Sequence, residues 1–98
     1  MRKINTVPYP TSTGSWDVRG SIIATLFNEK VDARELLRRD ELARQIESQA
    51  GDSLLLEDAD YAKVVSGLNA TDLKPFGREV VEFVRRVLDA PTVEVQAK

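Results

Sequence analysis

The feature that most constrains the fold of this chain is a charged segment between Val31 and Ala50, in which apolar residues recur at helical spacing. The segment opens with Asp32 and, three residues later, Glu35, which is the pattern of a capping box. Gly51 follows directly and is a natural C-terminal stop. The pattern therefore predicts a long helix with one apolar side.

The surface of this predicted helix carries charges of both signs. Glu35 precedes Arg39 by four residues and Asp40 precedes Arg44 by four, the favourable order for ion pairs along a helix. We interpret this face as self-balanced and solvated. The apolar spacing slips near Arg39 and Asp40, so a kink, or a break with Asp40 capping a second segment, stays open.

The exposed arginines of the same helix offer an alternative function. Arg34, Arg38 and Arg44 are candidate contacts for an anion or a nucleic acid, because a guanidinium donates two parallel hydrogen bonds to a phosphate. The interleaved acidic residues dilute any positive field, and the formal net charge of −2 argues against non-specific nucleic-acid binding. A nucleic-acid-binding regulator is therefore the second hypothesis.

The rest of the chain predicts a mainly α fold with a minor β part. We expect about four helices and a short two-stranded or extended N-terminal element that joins Ile4–Val7 to Leu54–Leu56. The other three helices are expected at Val18–Phe27 with Asp17 as N-cap, at Ala59–Leu68, and at Arg78–Leu88. Residues 1–91 are predicted to form a single compact helical domain and residues 92–98 a flexible C-terminal tail.

Composition narrows the function classes. The 98 residues include no histidine and no cysteine, which excludes disulfides, thiolate zinc sites and Ser-His-Asp hydrolysis within this chain. We therefore expect a non-enzymatic protein without a cofactor. The N-terminus leads into no apolar signal-peptide core, and no apolar run reaches membrane length, so a cytoplasmic location without membrane contact is the expectation.

An acidic cluster is the best local candidate for a metal site. Asp52, Glu57, Asp58 and Asp60 are close in sequence, and carboxylates at this density suit Mg²⁺ or Ca²⁺. Acidic residues at a helix N-terminus also satisfy free backbone amides, and the EF-hand spacing is not met. We therefore favour capping and predict no metal. A carboxylate-metal enzyme would instead show a rise in melting temperature with either ion.

The last predicted helix supplies the leading interaction hypothesis. With Val80, Val84 and Val87 placed inward, Phe83 falls on the flank of the apolar stripe, where an aromatic side chain can anchor a partner or a second copy. Val81 and Leu88 are also predicted to point inward. The candidate interface residues are Phe83, Arg86 and Trp16.

The stretches Thr25–Asn28 and Ala33–Ala43 carry a resemblance to small proteins encoded by tailed phages and prophages. In these proteins an extended start precedes a compact helix, a charged helix, a leucine-rich acidic turn and closing helices. The resemblance lies in element order and would span Ile4 to Leu88. It implies an accessory role in which the protein binds another protein, as a possible oligomer, and it assigns no functional residue.

Overall fold

The computed structural model describes residues 1–94 as four helices and two small antiparallel sheets. The helices are α1 (Val18–Leu26), α2 (Ala33–Ser48), α3 (Asp58–Asn69) and α4 (Val80–Leu88), and the 3₁₀ segment Lys74–Glu79 leads into α4. The strands are β1 (Arg2–Asn5), β2 (Tyr9–Thr11), β3 (Gly14–Trp16) and β4 (Ser53–Leu56). The prediction of a mainly α fold with four helices and a two-stranded N-terminal element is confirmed.

The first sheet pairs β1 with β4, as the sequence predicts. Ile4 lies opposite Leu54, and both side chains are buried, as is Leu56. The second sheet, the β2–β3 hairpin, was not predicted from the sequence. Residues 91–93 flank β1 on its other side, where Lys3 N–H donates to the Pro91 carbonyl at 3.0 Å. Of the predicted tail, residues 95–98 lie outside the described residues.

Helix α2 is continuous from Ala33 to Ser48, so neither the kink nor the break near Arg39 occurs. The Asp32 side chain accepts a hydrogen bond from Glu35 N–H at 2.8 Å, which confirms this residue as the N-cap. Among residues 1–94 no helix combines the length and the apolar character needed to cross a membrane.

Helices α1 and α2 each place an arginine side chain at the C-terminal end of the other helix. Neither helix has a basic residue in its own last turn. Arg19 of α1 donates to the Ile46 carbonyl at 2.7 Å, and Arg39 of α2 donates to the Leu26 carbonyl at 3.1 Å. Each arginine thus satisfies a terminal carbonyl and complements the dipole of the other helix.

Helix α4 is rotated relative to the prediction. Its buried stripe is Val80, Phe83 and Val87, so Phe83 lies at the centre of the stripe rather than on its flank. Val81 and Leu88, predicted to point inward, are 47% and 45% exposed. The inward placement of these two residues is therefore wrong.

Helices α1 and α3 approach each other closely at Gly67. A Cβ atom at this position would lie 2.1 Å from the Thr25 carbonyl oxygen of α1. Gly67→Ala is therefore expected to lower the free energy of unfolding by about 2 kcal/mol, despite the better helix propensity of alanine. Urea denaturation measures the change. The exposed Asn69→Ala on the same helix should stay within about 0.5 kcal/mol of the parent, and equal effects of the two changes would refute the close contact.

Candidate functional site: the Trp16 cleft

The β2–β3 hairpin places an aromatic pair against the helices. Ser12 and Thr13 form its two-residue turn, and Gly14 follows with a φ of 142°, a conformation that favours glycine. Tyr9 lies opposite Trp16 in the register, and their rings stack with centroids 6.1 Å apart. Trp16 is thereby held at the junction between the hairpin and α1.

The Tyr9 hydroxyl links this hairpin to the start of α4 through two hydrogen bonds. It donates to the Glu79 carbonyl at 2.6 Å and accepts from Phe83 N–H at 3.2 Å, which satisfies an amide near the helix start. Burial raises the pKa of the Tyr9 phenol. Ser12 N–H donates to Glu79 Oε1 at 2.6 Å, and this bond lowers the pKa of the Glu79 carboxyl.

Trp16 forms one wall of an apolar cleft between α1 and the chain from Leu73 to Phe83. The indole stacks on Phe83 at 6.0 Å and meets Phe76 edge-on at 5.7 Å. We call this the Trp16 cleft. Its volume is about 410 Å³, within the range of ligand pockets. Its lining consists of Trp16, Asp17, Gly20, Ser21, Ala24, Thr25, Asn28, Thr71, Leu73, Phe76, Val80 and Phe83.

The two walls of the Trp16 cleft differ in character. The α1 wall carries small side chains, among them Ser21 and Ala24, whereas the opposite wall is aliphatic and aromatic. Phe76 forms a rim and is 48% exposed. Among residues 1–94, the only ionisable group in the lining is Asp17, whose carboxylate caps α1 by accepting from Gly20 N–H. The cleft therefore suits the burial of an apolar group rather than acid–base chemistry.

The polar groups of the cleft are largely paired with one another. Asn28 donates to the Thr71 hydroxyl at 2.9 Å, which in turn donates to the Gly67 carbonyl at 2.8 Å. Trp16 Nε1 is buried and has no hydrogen-bond partner within residues 1–94. A larger hollow of about 760 Å³ lies between β1 and α4, but it is more open and mixes charges of both signs, such as Lys3 and Asp89. The Trp16 cleft is the better-formed apolar site.

The structure brings the three predicted interface residues to the same region. Phe83 is only 2% exposed and packs beneath Trp16, so its predicted exposed position is wrong. Arg86 is half-buried: it donates to Glu82 at 2.7 Å and to the Val7 carbonyl, and its guanidinium lies over the Tyr9 ring. Trp16 and Phe83 both line the cleft, whereas Arg86 is not part of its lining.

The charged helix contains one buried ionic cluster that the sequence analysis missed. Arg39 was assigned to the solvated face, but its side chain is 5% exposed. It donates to Glu29 at 2.7 Å and to Glu35 at 3.0 Å, and Ser66 donates to the second oxygen of Glu29. Lys63 approaches Glu35 at 3.4 Å. The sequence does contain a signal, namely the slip in apolar spacing at Arg39. The helical pattern places a buried residue at this position, and that residue is an arginine.

These contacts shift the ionisation of the cluster. The hydrogen bond from Ser66, and then that from Arg39, lowers the pKa of Glu29, and the hydrogen bond from Arg39 lowers the pKa of Glu35. Burial opposes the charge of Arg39, but its bonds to the two carboxylates outweigh it and raise the pKa of the guanidinium. The cluster is therefore fully ionised at neutral pH and ties α1, α2 and α3 together.

The shifts predict a loss of stability in acid. Both glutamates have a lower pKa folded than unfolded, so their stabilisation is complete above the unfolded pKa, near 4.5, and is lost as the pH falls through the folded values. We expect the free energy of unfolding, measured in urea between pH 7 and 3, to fall below about pH 4.5. Glu35→Gln should flatten this fall, whereas Glu47→Gln, on an exposed position of α2, should not. An equal slope for both variants would contradict the assignment.

The alternative nucleic-acid residues do not form one face. Arg34 and Arg38 lie on neighbouring turns of α2, but Arg44, six positions beyond Arg38, is rotated by roughly 120° from it. Arg44 pairs with Asp40 at 3.1 Å, and Arg38 lies 3.7 Å from Glu35. The helix thus offers alternating charges rather than a continuous basic surface.

The acidic residues after β4 stand at the start of α3. Asp58 and Asp60 lie in the first turn of this helix, where carboxylates complement its dipole. Within residues 1–94, no three histidine, cysteine, aspartate or glutamate side chains converge on a position for a metal ion.

Comparison with known proteins adds no family to this description. No protein-family model, no curated protein and no solved structure matches the chain.

Proposed function

We propose that this chain is a non-enzymatic protein-binding module whose Trp16 cleft accepts an apolar side chain of a partner. The observation that carries the proposal is the cleft itself, which presents aromatic walls and a half-exposed Phe76 rim to solvent. Full burial of one leucine or phenylalanine side chain contributes roughly 1.5–3 kcal/mol, which corresponds to about a tenfold to hundredfold gain in affinity. The cleft would form the centre of a wider contact.

A matched pair of substitutions tests the proposal. Ala24 lies on the exposed wall of the cleft, and Ala62 is an exposed alanine on α3, outside the cleft. Ala24→Phe should fill the cleft and leave the fold intact, whereas Ala62→Phe adds the same bulk elsewhere. Affinity purification with the parent and both variants should give a protein that Ala24→Phe loses and Ala62→Phe retains.

The purified partner then provides a direct readout. Trp16 is the only tryptophan of the chain, so its emission reports on the cleft. Partner addition should shift the emission of the parent and of Ala62→Phe, and Ala24→Phe should bind at least about tenfold more weakly. Identical partners and affinities for all three proteins, or a strict monomer that captures nothing, would refute the proposal.

An accessory role of the kind implied by the resemblance to small phage proteins fits a binding module. Genes for phage assembly around the coding gene would support that role, and neighbours from host metabolism would oppose it. The nucleic-acid hypothesis rests on Arg34, Arg38 and Arg44, and the lack of a continuous basic face weakens it. Absence of a gel shift with duplex DNA at low salt would dispose of it.

A further inference from the structure

The open edge of β4 holds a side chain where a neighbouring strand would lie. The Gln49 side-chain amide donates from Nε2 to the Leu55 carbonyl and accepts at Oε1 from Leu55 N–H, both at 3.0 Å. One primary amide thus makes the pair of hydrogen bonds that one residue of an added antiparallel strand would make. A single side chain is easier to displace than a strand, because its release requires only a change of its own rotamer and no rearrangement of the backbone.

The other sides of this sheet are already occupied. β1 pairs with β4, and on its far side β1 meets residues 91–93, where Arg2 bridges to Thr92. The edge beyond Leu55 is therefore the side of the sheet at which a further strand can add. Leu55 itself is 39% exposed there. Exposed strand edges recruit extended segments through main-chain hydrogen bonds.

The surroundings of this edge carry negative charge. A cavity of about 340 Å³ beside it is lined by Gln45, Gln49, Leu55, Glu57 and Asp60, among others. The cavity lining includes the Met1 residue, whose amino group lies 3.7 Å from a carboxylate oxygen of Asp58. Among residues 1–94, no lysine or arginine side chain lines it. The carboxylates of Glu57 and Asp60 would favour cationic side chains on an incoming strand.

A second copy of the chain is a poor occupant for the same reason. An antiparallel pair of β4 strands centred on Leu55 would bring Asp52, just before β4 in one copy, close to Asp58, at the start of α3 in the other. Like charges directly opposite each other destabilise a strand pair. We propose that the β4 edge is a strand-addition site for an extended, basic segment of another protein, and that Gln49 fills the site until that segment displaces it.

Two substitutions near the C-terminal end of α2 test the displacement. Gln49→Ala removes the competing amide, whereas Gln45→Ala changes a glutamine that lines the same cavity and makes no bond to Leu55 among those described. The probe is the blocked peptide Lys-Val-Lys-Val-Lys. Its affinity is measured by the chemical shift of the Leu55 amide in a nuclear magnetic resonance titration, which also reports on binding to the parent protein.

We expect Gln49→Ala to bind the basic peptide at least fivefold more tightly than the parent, and Gln45→Ala to bind within twofold of it. A Glu-Val-Glu-Val-Glu peptide, and the basic peptide with every backbone nitrogen methylated, should leave the Leu55 amide unmoved, because the first lacks the positive charge and the second lacks the N–H donors on both edges. The proposal is overturned by equal affinity of Gln49→Ala and the parent, by binding of the methylated peptide, or by dimerisation of Gln49→Ala without peptide. Should Gln49→Ala fail to fold, an unmoved Leu55 amide in the parent overturns it.

This site is separate from the Trp16 cleft, and the two proposals fail separately. The peptide should bind Ala24→Phe as it binds the parent, since Ala24 lines only the cleft. Loss of peptide binding in Ala24→Phe would count against a separate strand-addition site.

Discussion

Phe83→Ala is expected to destabilise the fold by about 4 kcal/mol, a large part of the stability of a domain of this size. Phe83 is among the largest fully buried side chains, and it supports the underside of the Trp16 ring. Its removal leaves a cavity in the core and takes away one wall of the cleft. Urea denaturation followed by Trp16 emission measures the loss.

Two further variants make the result for Phe83→Ala interpretable. Phe83→Leu should cost about 1 kcal/mol and remain folded, which keeps the measurement possible if the alanine variant unfolds. Phe76→Ala removes a half-exposed ring from the same cleft and should cost about 1 kcal/mol as well. A Phe83→Ala protein as stable as the parent would mean that Phe83 is a surface anchor, as the sequence pattern suggests, and not a core residue.

Arg39→Met is expected to destabilise the fold by about 3 kcal/mol, because it leaves two carboxylates and a helix-terminal carbonyl without their donor. Methionine preserves much of the length of the buried side chain, so packing loss is limited. Glu29 and Glu35 are partly exposed, so water can solvate their unpaired carboxylates. The loss of unfolding free energy is therefore expected near the lower end of the range for a broken buried ion pair. The measurement is the midpoint and slope of urea unfolding at pH 7.

The control for Arg39 lies on the same helix. Arg44 also has a carboxylate four residues before it, but its side chain is 79% exposed, so Arg44→Met should cost about 0.5 kcal/mol or less. Arg39→Lys should recover only part of the loss, because a single ammonium cannot reach all three acceptors with the geometry of a guanidinium. Equal stabilities of Arg39→Met and Arg44→Met would contradict a buried ionic cluster.

Local signals predict the helices and one sheet of this fold well. Asp17 and Asp32 are the N-caps that the sequence indicates, and each accepts a backbone N–H three residues on. The short apolar run at Leu54 pairs with the N-terminal strand as expected. The two N-caps depend on residues within one turn of each other, where capping is a strong constraint, whereas the sheet pairing joins two short apolar stretches far apart in the chain.

The orientation of α4 was not predictable in the same way. Its apolar side chains lie on one side of the helix, over roughly 160° of the circumference, and periodicity alone does not fix which part of this wide face is buried. The choice is made by Tyr9 and Trp16, more than sixty residues earlier in the chain, which pack on Phe83 and bond to its amide. Such long-range contacts carry no local sequence signal.

The candidate site was only partly accessible to sequence analysis for the same reason. Trp16 was named as an interface residue, but the cleft also needs the small side chains of α1 and the Phe76 rim, which come from separate segments. The hairpin that carries Trp16 was not predicted, because Pro8 and Pro10 argue against a strand in this stretch. Pro10 is nevertheless compatible with the short two-stranded hairpin, where it lies opposite Ser15.

The most direct test of the proposed cleft is a nuclear magnetic resonance titration with toluene and 4-methylphenol, which have the shapes of the phenylalanine and tyrosine side chains. The account predicts saturable shifts at the amides of Ser21, Ala24 and Phe76 in the parent and in Ala62→Phe, and their loss in Ala24→Phe. Shifts that do not saturate, or that persist in Ala24→Phe, would contradict an apolar binding site at Trp16.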